Sequence, residues 1–268
     1  THESVIRNNL EIDEGDPFNK LLNSKSINNL RSLNIFGSVT SEVKEGSDQN
    51  TKIIEVEVVE KPTGEISLGA GYGTEGGTLG FSVAENNFLG KNVKLATNLR
   101  TSSDTFTGGF SMTNPNFNYS NKALITSIQN TQTDKLSDSG YKSSDTSLSF
   151  GTSYMQYEDV RFSPSITSSI NDVKTNATSS SALKKQEGGY FNTKINYSLD
   201  FDKRNRKYQP TEGTRTILAQ GIPLISEEYA LLNSVTSDRW FKLPNEMVMN
   251  IGVYSKAINS LNGEDVRI

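Results

Sequence analysis

The chain of 268 residues has no cysteine and a single histidine, His2. Without thiols there is no disulfide framework and no thiolate metal site. A lone histidine reads as an incidental polar residue near a helix start, because metal and acid–base sites need several convergent groups. No run approaches the ~18 consecutive apolar residues of a membrane helix, which excludes a helical membrane protein. The formal charge is only −4 and no basic block stands out, which argues against nucleic acid as a partner. There is no phosphate-binding GxxxxGK[ST] loop and no Ser/His/Asp arrangement. Gly69, Gly71 and Gly73 hint at a GxG phosphate turn, but no helix follows them. One-third of the residues are hydrophobic and the mean hydropathy is −0.53. Those values suit a water-soluble protein. They suit a membrane β-barrel equally, since half of each spanning strand faces a polar lumen.

What is present changes character along the chain. Residues 1–62 mix helix and strand signals. Val5, Ile6 and Leu10 share one face of a short helical pattern. Gly15 and Pro17 interrupt it, and Asp16 with Pro17 is placed to open a second helix. Leu21, Leu22, Ile27, Leu30 and Leu33 recur at helical spacing over residues 19–34. A strand over residues 35–43, a polar turn at 45–50 and a second strand over 52–60 follow. In the second, Ile54, Val56 and Val58 alternate with Glu55, Glu57 and Val59. Two strands make a marginal sheet, so a third is expected to precede Thr1.

From Gly64 onward the helical period vanishes. Segments of about ten residues alternate apolar with small or polar residues, giving about eleven expected strands. Ile66/Leu68/Ala70/Tyr72, Leu79/Phe81/Val83 and Ile195/Tyr197/Leu199/Phe201 are the clearest. Segments 121–133 and 228–242 alternate poorly. Connections at 86–92, 114–122, 157–161, 203–213 and 242–246 are compact, whereas 132–145 and 172–188 read as longer polar loops. Phe88, Phe117, Tyr119, Tyr157, Tyr208 and Trp240 lie near the compact turns. Tyr72, Tyr141, Tyr190, Tyr229 and Tyr254 lie toward the opposite ends. Unequal loops and two aromatic belts fit a membrane barrel. A soluble β-sandwich also alternates and also scatters aromatics, so periodicity leaves both open.

The junction, residues 58–90 (VVEKPTGEISLGAGYGTEGGTLGFSVAENNFLG), joins a charged strand directly to a glycine-rich hairpin. The chain opens Thr-His-Glu without an initiator Met, and closes on Asp265-Val266-Arg267-Ile268 without a turn signal. Both ends read as cuts, and the lack of a leader says nothing about localisation. Single-chain bacterial barrels close with an even strand number, and an open edge in lipid leaves backbone groups unpaired. The chain is therefore expected to be a fragment.

Several stretches resemble, in order, the BamA family of outer-membrane protein assembly factors. Residues 1–7 (THESVIR) resemble the opening helix of that family's last periplasmic POTRA module. Residues 30–39 (LRSLNIFGSV) resemble its helix-to-strand element, with Ile35-Phe36-Gly37 departing from the pattern. Residues 56–64 resemble the exit strand, 69–73 (GAGYG) the first barrel strand, 87–90 (NFLG) and 113–115 the first two turns, and 208–215 (YQPTEGTR) a later turn. The family's loop-six Arg-Gly-Phe/Tyr element and closing strands are not in this sequence.

The resemblance implies a small α+β POTRA module, residues 1–62, followed by an antiparallel transmembrane β-barrel, residues 63–268, with about eleven of sixteen strands present. It implies a non-enzymatic, cofactor-free insertase of the bacterial outer membrane, with the module in the periplasm. The implied partners are the lipid bilayer, unfolded β-barrel clients and a BamD-like accessory lipoprotein. Glu65, Ile66, Ser67, Leu68, Gly69, Ala70, Gly71, Tyr72 and Gly73 would form the seam that pairs with client strands, and Glu14 would meet the lipoprotein. TamA-like proteins and two-partner secretion transporters share the architecture. Read without the resemblance, the seam glycines serve equally to relieve crowding in a curved sheet. Glu14 serves equally as a solvated turn residue. The charge run 202–207 reads as a solvated turn or a lipid-headgroup contact.

Overall fold

A computed structural model describes residues 1–48, 51–73, 76–207, 209–227 and 229–263. Two compact units divide the chain: Thr1–Ser67 with Ser82–Ala96, and Leu68–Phe81 with Thr97–Ile268.

The first unit begins with helices α1 (Glu3–Arg7) and α2 (Lys20–Ser32). Asp16 and Pro17 do not open α2. Asn19 does, its side chain accepting the N–H groups of Leu21 and Leu22, which satisfies two of the donors a helix start leaves orphaned. Strands β1 (Phe36–Glu45) and β2 (Lys52–Glu60) pair antiparallel. Their register shifts between Phe36 and Ser38, so Gly37 is the extra residue of a bulge. The bulge reverses the side-chain alternation and lets both Phe36 and Val39 face inward. They join Ile27, Leu30 and Ile35 in one core, flanked by Val5, Ile6, Leu10, Leu33, Val56 and Val58. Leu30 and Ile35 are wholly buried. Leu21, grouped with the core by its spacing, is instead 77% exposed at the first turn of α2.

Eleven strands form one antiparallel sheet in chain order. They are β3 (Gly64–Gly73), β4 (Gly76–Phe88), β5 (Val93–Thr101), β6 (Thr105–Asn114), β7 (Ala123–Lys135) and β8 (Tyr141–Tyr157). Then come β9 (Val160–Thr175), β10 (Gly188–Asp202), β11 (Gly213–Ser226), β12 (Ala230–Lys242) and β13 (Val248–Ser260). A single turn of helix, α3 (Ser181–Lys184), lies between β9 and β10. Both weakly alternating segments are strands, β7 and β12. The sheet is not closed: β3 and β13 are its edges among the described residues.

The long loop expected at 132–145 is mostly strand, because β7 runs to Lys135 and β8 starts at Tyr141. Polar side chains there occupy both faces, so composition looks like loop while the backbone stays paired, Gln132 with Ser144 and Thr133 with Ser143. Only the β9–β10 connection is long on that side, and the β10–β11 connection opposite it is nearly as long. The expected inequality of loops reduces to one loop.

Pairing gives the sheet two unlike faces. Phe150, Ile166, Ile195 and Ile222 stand opposite one another across four strands, as do Phe162, Leu199, Leu218 and Val235. These residues lie on one face, and all but Phe162 and Leu199 are exposed. The other face carries Ser111, Ser127, Ser149 and Thr167 in one row, with Thr167 Oγ1 3.1 Å from Ser149 Oγ.

The same polar face holds two arginine–carboxylate forks near the β10–β11 turn. Arg204 grips Asp202 through Nε and Nη2, each at 2.7 Å, with its side chain only 12% exposed. Arg215 grips Asp200 at 3.0 and 2.7 Å. The Arg204 guanidinium lies 5.4 Å from the Trp240 ring centroid, within cation–π range. Arg204 is thus neither a solvated turn residue nor free for a headgroup. Gly213 makes the turn possible: at φ +107 a Cβ would fall 2.2 Å from the Lys203 carbonyl oxygen.

Two stability outcomes follow. Leu30→Ala is expected to cost roughly 2–5 kcal/mol within the first unit, read as faster amide hydrogen exchange in α2 and β1 with exchange in β7–β11 unchanged. Arg204→Ala is expected to cost roughly 1.5–3 kcal/mol, the worth of charged hydrogen bonds, read as a lower urea midpoint. Arg204→Lys is expected to recover only part of that loss, since an ammonium cannot make the two-point contact.

Candidate functional site

Strand β3 is the edge at which the chain enters the large sheet, and every residue of it is exposed. Its apolar residues share one face: Ile66 is 77%, Leu68 82% and Tyr72 90% exposed. Glu65, Ser67, Gly69, Gly71 and Gly73 share the other. Nothing lies within 4 Å of where a Cβ would stand on Gly69 or Gly73, whereas on Gly71 it would meet Thr78 Oγ1 at 3.1 Å. Within this chain a Cβ would be tight at Gly71 and unopposed at Gly69 and Gly73. Relative to alanine, glycine weakens a strand by roughly 0.5–1 kcal/mol per residue.

Polar groups hold the start of β3. The Thr63 carbonyl accepts both the backbone N–H and the side-chain amide of Asn86, each at 3.1 Å. Thr63 Oγ1 donates to Glu85, which also accepts the Asn87 N–H at 2.7 Å. Asn87 then organises the following turn: its Oδ1 accepts the Asn92 N–H at 2.8 Å, and its Nδ2 donates to Thr1 Oγ1 at 2.9 Å. Gly90, at φ +69, donates to the Asn87 carbonyl and accepts the His2 N–H, both at 2.8 Å. The backbone there passes 3.1 Å (Thr1 Cα) from the place of a Gly90 Cβ. The NFLG stretch is therefore a built turn stitched to the start of α1. Sequence reasoning singled out the turn but not Thr63, Glu85 or Asn86. Their only signal was polar residues at the root of an otherwise alternating hairpin.

Glu14 lies in the segment between α1 and α2 with its side chain 87% exposed. Its carboxylate accepts Arg7 Nη1 at 2.8 Å, while Arg7 Nε reaches Glu3 at 2.6 Å. Glu3 can keep Arg7 paired when Glu14 engages something else.

Of the turn aromatics, Phe88, Phe117, Tyr119 and Tyr157 are exposed, and pairing fixes the faces of Tyr157 and Trp240. The Tyr157 placement depends on a bulge between Met155 and Tyr157, which pairs Tyr157 with Val160, itself opposite Phe201 on the apolar face. Trp240, expected with them, stands opposite Gly213 and Asn250 on the polar face beneath Arg204. Phe241 takes the apolar face at that strand end. Alternation from Val235 could have shown this, since Trp240 is five residues away and so of opposite parity. Tyr254 lies mid-strand in β13 opposite Thr236, away from either strand end. Tyr208 lies outside the described residues. No group of three or more potential metal ligands converges among the described residues, and no helix there is long and apolar enough to cross a membrane.

Comparison with known proteins places this geometry. Residues 1–61 match the POTRA family, described as a surface antigen variable number repeat. The Omp85 superfamily domain matches residues 87–234. The outer membrane protein assembly factor BamA of Neorickettsia risticii is 35% identical over 104 residues, covering 38% of this chain and 14% of that protein. A putative outer membrane protein assembly factor of Treponema pallidum is 33% identical over 105 residues, covering 37% of this chain and 12% of that protein. Among solved structures, BamA from Haemophilus ducreyi lacking POTRA domains 1–3 superposes with a TM-score of 0.83 at 18% identity, over 99% of this chain and 54% of that one. CdiB from Acinetobacter baumannii superposes with a TM-score of 0.62 at 11% identity, over 97% and 50%. The chain thus spans about half the length of these solved structures. A POTRA module leading into an antiparallel eleven-stranded sheet, with more than half the sequence matched to one family's domain, settles the kinship: the chain belongs to the Omp85 superfamily.

Proposed function

We propose that this protein inserts β-barrel proteins into the bacterial outer membrane, using β3 as the seam at which a client strand pairs. The observation that carries the reading is β3 itself, an exposed, alternating edge strand of a sheet whose one face is apolar. Unpaired strand edges template further strands. An uncovered apolar face of this extent needs a partner, and lipid supplies one. The assembly-factor names of the two sequence relatives support the same role.

On this reading residues 63–268 form barrel wall and residues 1–62 a periplasmic module. The apolar face meets lipid and the serine- and threonine-rich face meets the lumen. Phe88, Phe117, Tyr119, Tyr157 and Phe241 sit at the membrane interface. The seam comprises Glu65, Ile66, Ser67, Leu68, Gly69, Ala70, Gly71, Tyr72 and Gly73. No step consumes a nucleotide or needs a cofactor: pairing of backbone groups and burial of apolar client surface in lipid supply the driving force. Glu14 offers a carboxylate to a cationic group on a BamD-like lipoprotein, with Glu3 retaining Arg7. A related transport role shares the fold, and the assembly-factor names of the two sequence relatives favour assembly.

Two outcomes test this. A disulfide tethering a cysteine at Leu68 to the strand that closes the barrel is expected to abolish client insertion into vesicles, and reduction to restore it; unimpaired insertion by the tethered protein would sink the seam. Glu14→Arg is expected to lower recovery of the lipoprotein on co-purification without altering the thermal stability of the protein, and undiminished recovery would remove Glu14 from the contact.

A further inference from the structure

The polar groups at the root of β3 do more than hold it in place. In an antiparallel strand the N–H and C=O of a residue point to the same side, and the side alternates from one residue to the next. Asn86 bonds the Thr63 carbonyl from β4, so Thr63 points toward β4. Two contacts further along have the same parity. Thr78 Oγ1 lies 3.4 Å from the Gly71 carbonyl oxygen. The Gly69 carbonyl oxygen lies 4.0 Å from the place of a Cβ on Gly80. Odd-numbered residues of β3 therefore spend their backbone groups on β4. The groups of Gly64, Ile66, Leu68, Ala70 and Tyr72 point to the open edge.

We propose that Thr63, Glu85 and Asn86 form a register lock, which selects this even-numbered set as the one offered to an incoming strand. The inference rests on the client-strand reading above and adds its phase. Each hydrogen-bonded residue of the incoming strand then stands opposite Ile66, Leu68 or Ala70 and shares their apolar face. The strand accepted is one with apolar residues at those alternate positions and small or polar residues between. A slip of one residue would turn every side chain to the wrong face, and the lock opposes that slip. Thr63, Glu85 and Asn86 are positioning residues, since none reaches the client.

Proline replacement separates the two sets, because it deletes one N–H at a chosen parity. The protein is reconstituted in phosphatidylethanolamine–phosphatidylglycerol vesicles, checked for a folded barrel by heat-modifiable migration, and given a urea-unfolded eight-stranded barrel protein as client. Leu68→Pro and Ala70→Pro are expected to stay folded and to slow insertion at least about tenfold, the worth of one unpaired backbone group. Folded Leu68→Pro and Ala70→Pro proteins that insert at the native rate, beside folded Gly69→Pro and Gly71→Pro proteins that do not, would overturn the phase. If no proline at either parity alters insertion by a folded barrel, the seam reading itself fails. Should the even-position variants not fold, amide hydrogen exchange of the unaltered protein decides: residues 65, 67, 69 and 71 are expected to outlast 66, 68, 70 and 72. The opposite order, or none, would overturn the proposal. Thr63→Val is expected to blur that alternation and Thr63→Ser to restore it; an unchanged pattern in Thr63→Val would remove Thr63 from the lock.

Discussion

A strand at the edge of a sheet cannot satisfy its own backbone. Each N–H and C=O on the open side needs a partner, and in hydrocarbon each one left unpaired costs several kcal/mol. This constraint organises the eleven-stranded sheet. Consecutive strands pair in chain order, so every interior strand is bonded on both sides by its nearest neighbours in sequence. Only β3 and β13 stand outside that closure among the described residues, and β3 is where polar side chains gather to fix the first pairing. Thr63, Glu85 and Asn86 cost little there, since each of their hydrogen bonds is made within the hairpin root.

The same sheet separates two chemistries by parity. One face is a field of aliphatic and aromatic side chains, most of them well exposed among the described residues. The other is hydroxyls, amides and a pair of arginine–carboxylate forks. Partial burial of Asp202 and Arg204 is tolerable because the guanidinium fork answers both carboxylate oxygens, and Trp240 covers the planar ion. Bulges adjust this parity where alternation alone would misplace a residue. The irregularity at Gly37 turns Phe36 and Val39 to the same core. The one before Tyr157 moves that ring to the apolar face.

Element type was largely legible in the chain. Two-residue periodicity in segments such as 195–201 announced strands, and leucine spacing over 19–34 announced α2. The glycine-rich stretch 64–73 announced a strand unlike its neighbours. Reading failed where composition and pairing part company. Residues 132–135 and 141–145 are polar enough for a loop yet are laddered strand, because backbone hydrogen bonding is indifferent to the polarity of the side chains. Leu21 is apolar and belongs to the helix, but it lies about two and a half turns from Leu30 and so faces away from the core. Trp240 was grouped by nearness to a turn, whereas its face depends on parity counted from Val235. Arg204 looked like one charge in a solvated run, because the turn that folds it back onto Asp202 requires Gly213 at positive φ.

Local order is thus written in the amino acids themselves: which segments extend, where they turn, and that one face of each strand is apolar. That follows because a strand's side chains alternate by covalent geometry alone. Partnership is another matter. The pairing of Asn86 with Thr63, the insertion of bulges, and the direction in which each β3 backbone group points are set by register. Register arises only when two strands meet, since every residue carries the same N–H and C=O and nothing in their chemistry names a partner.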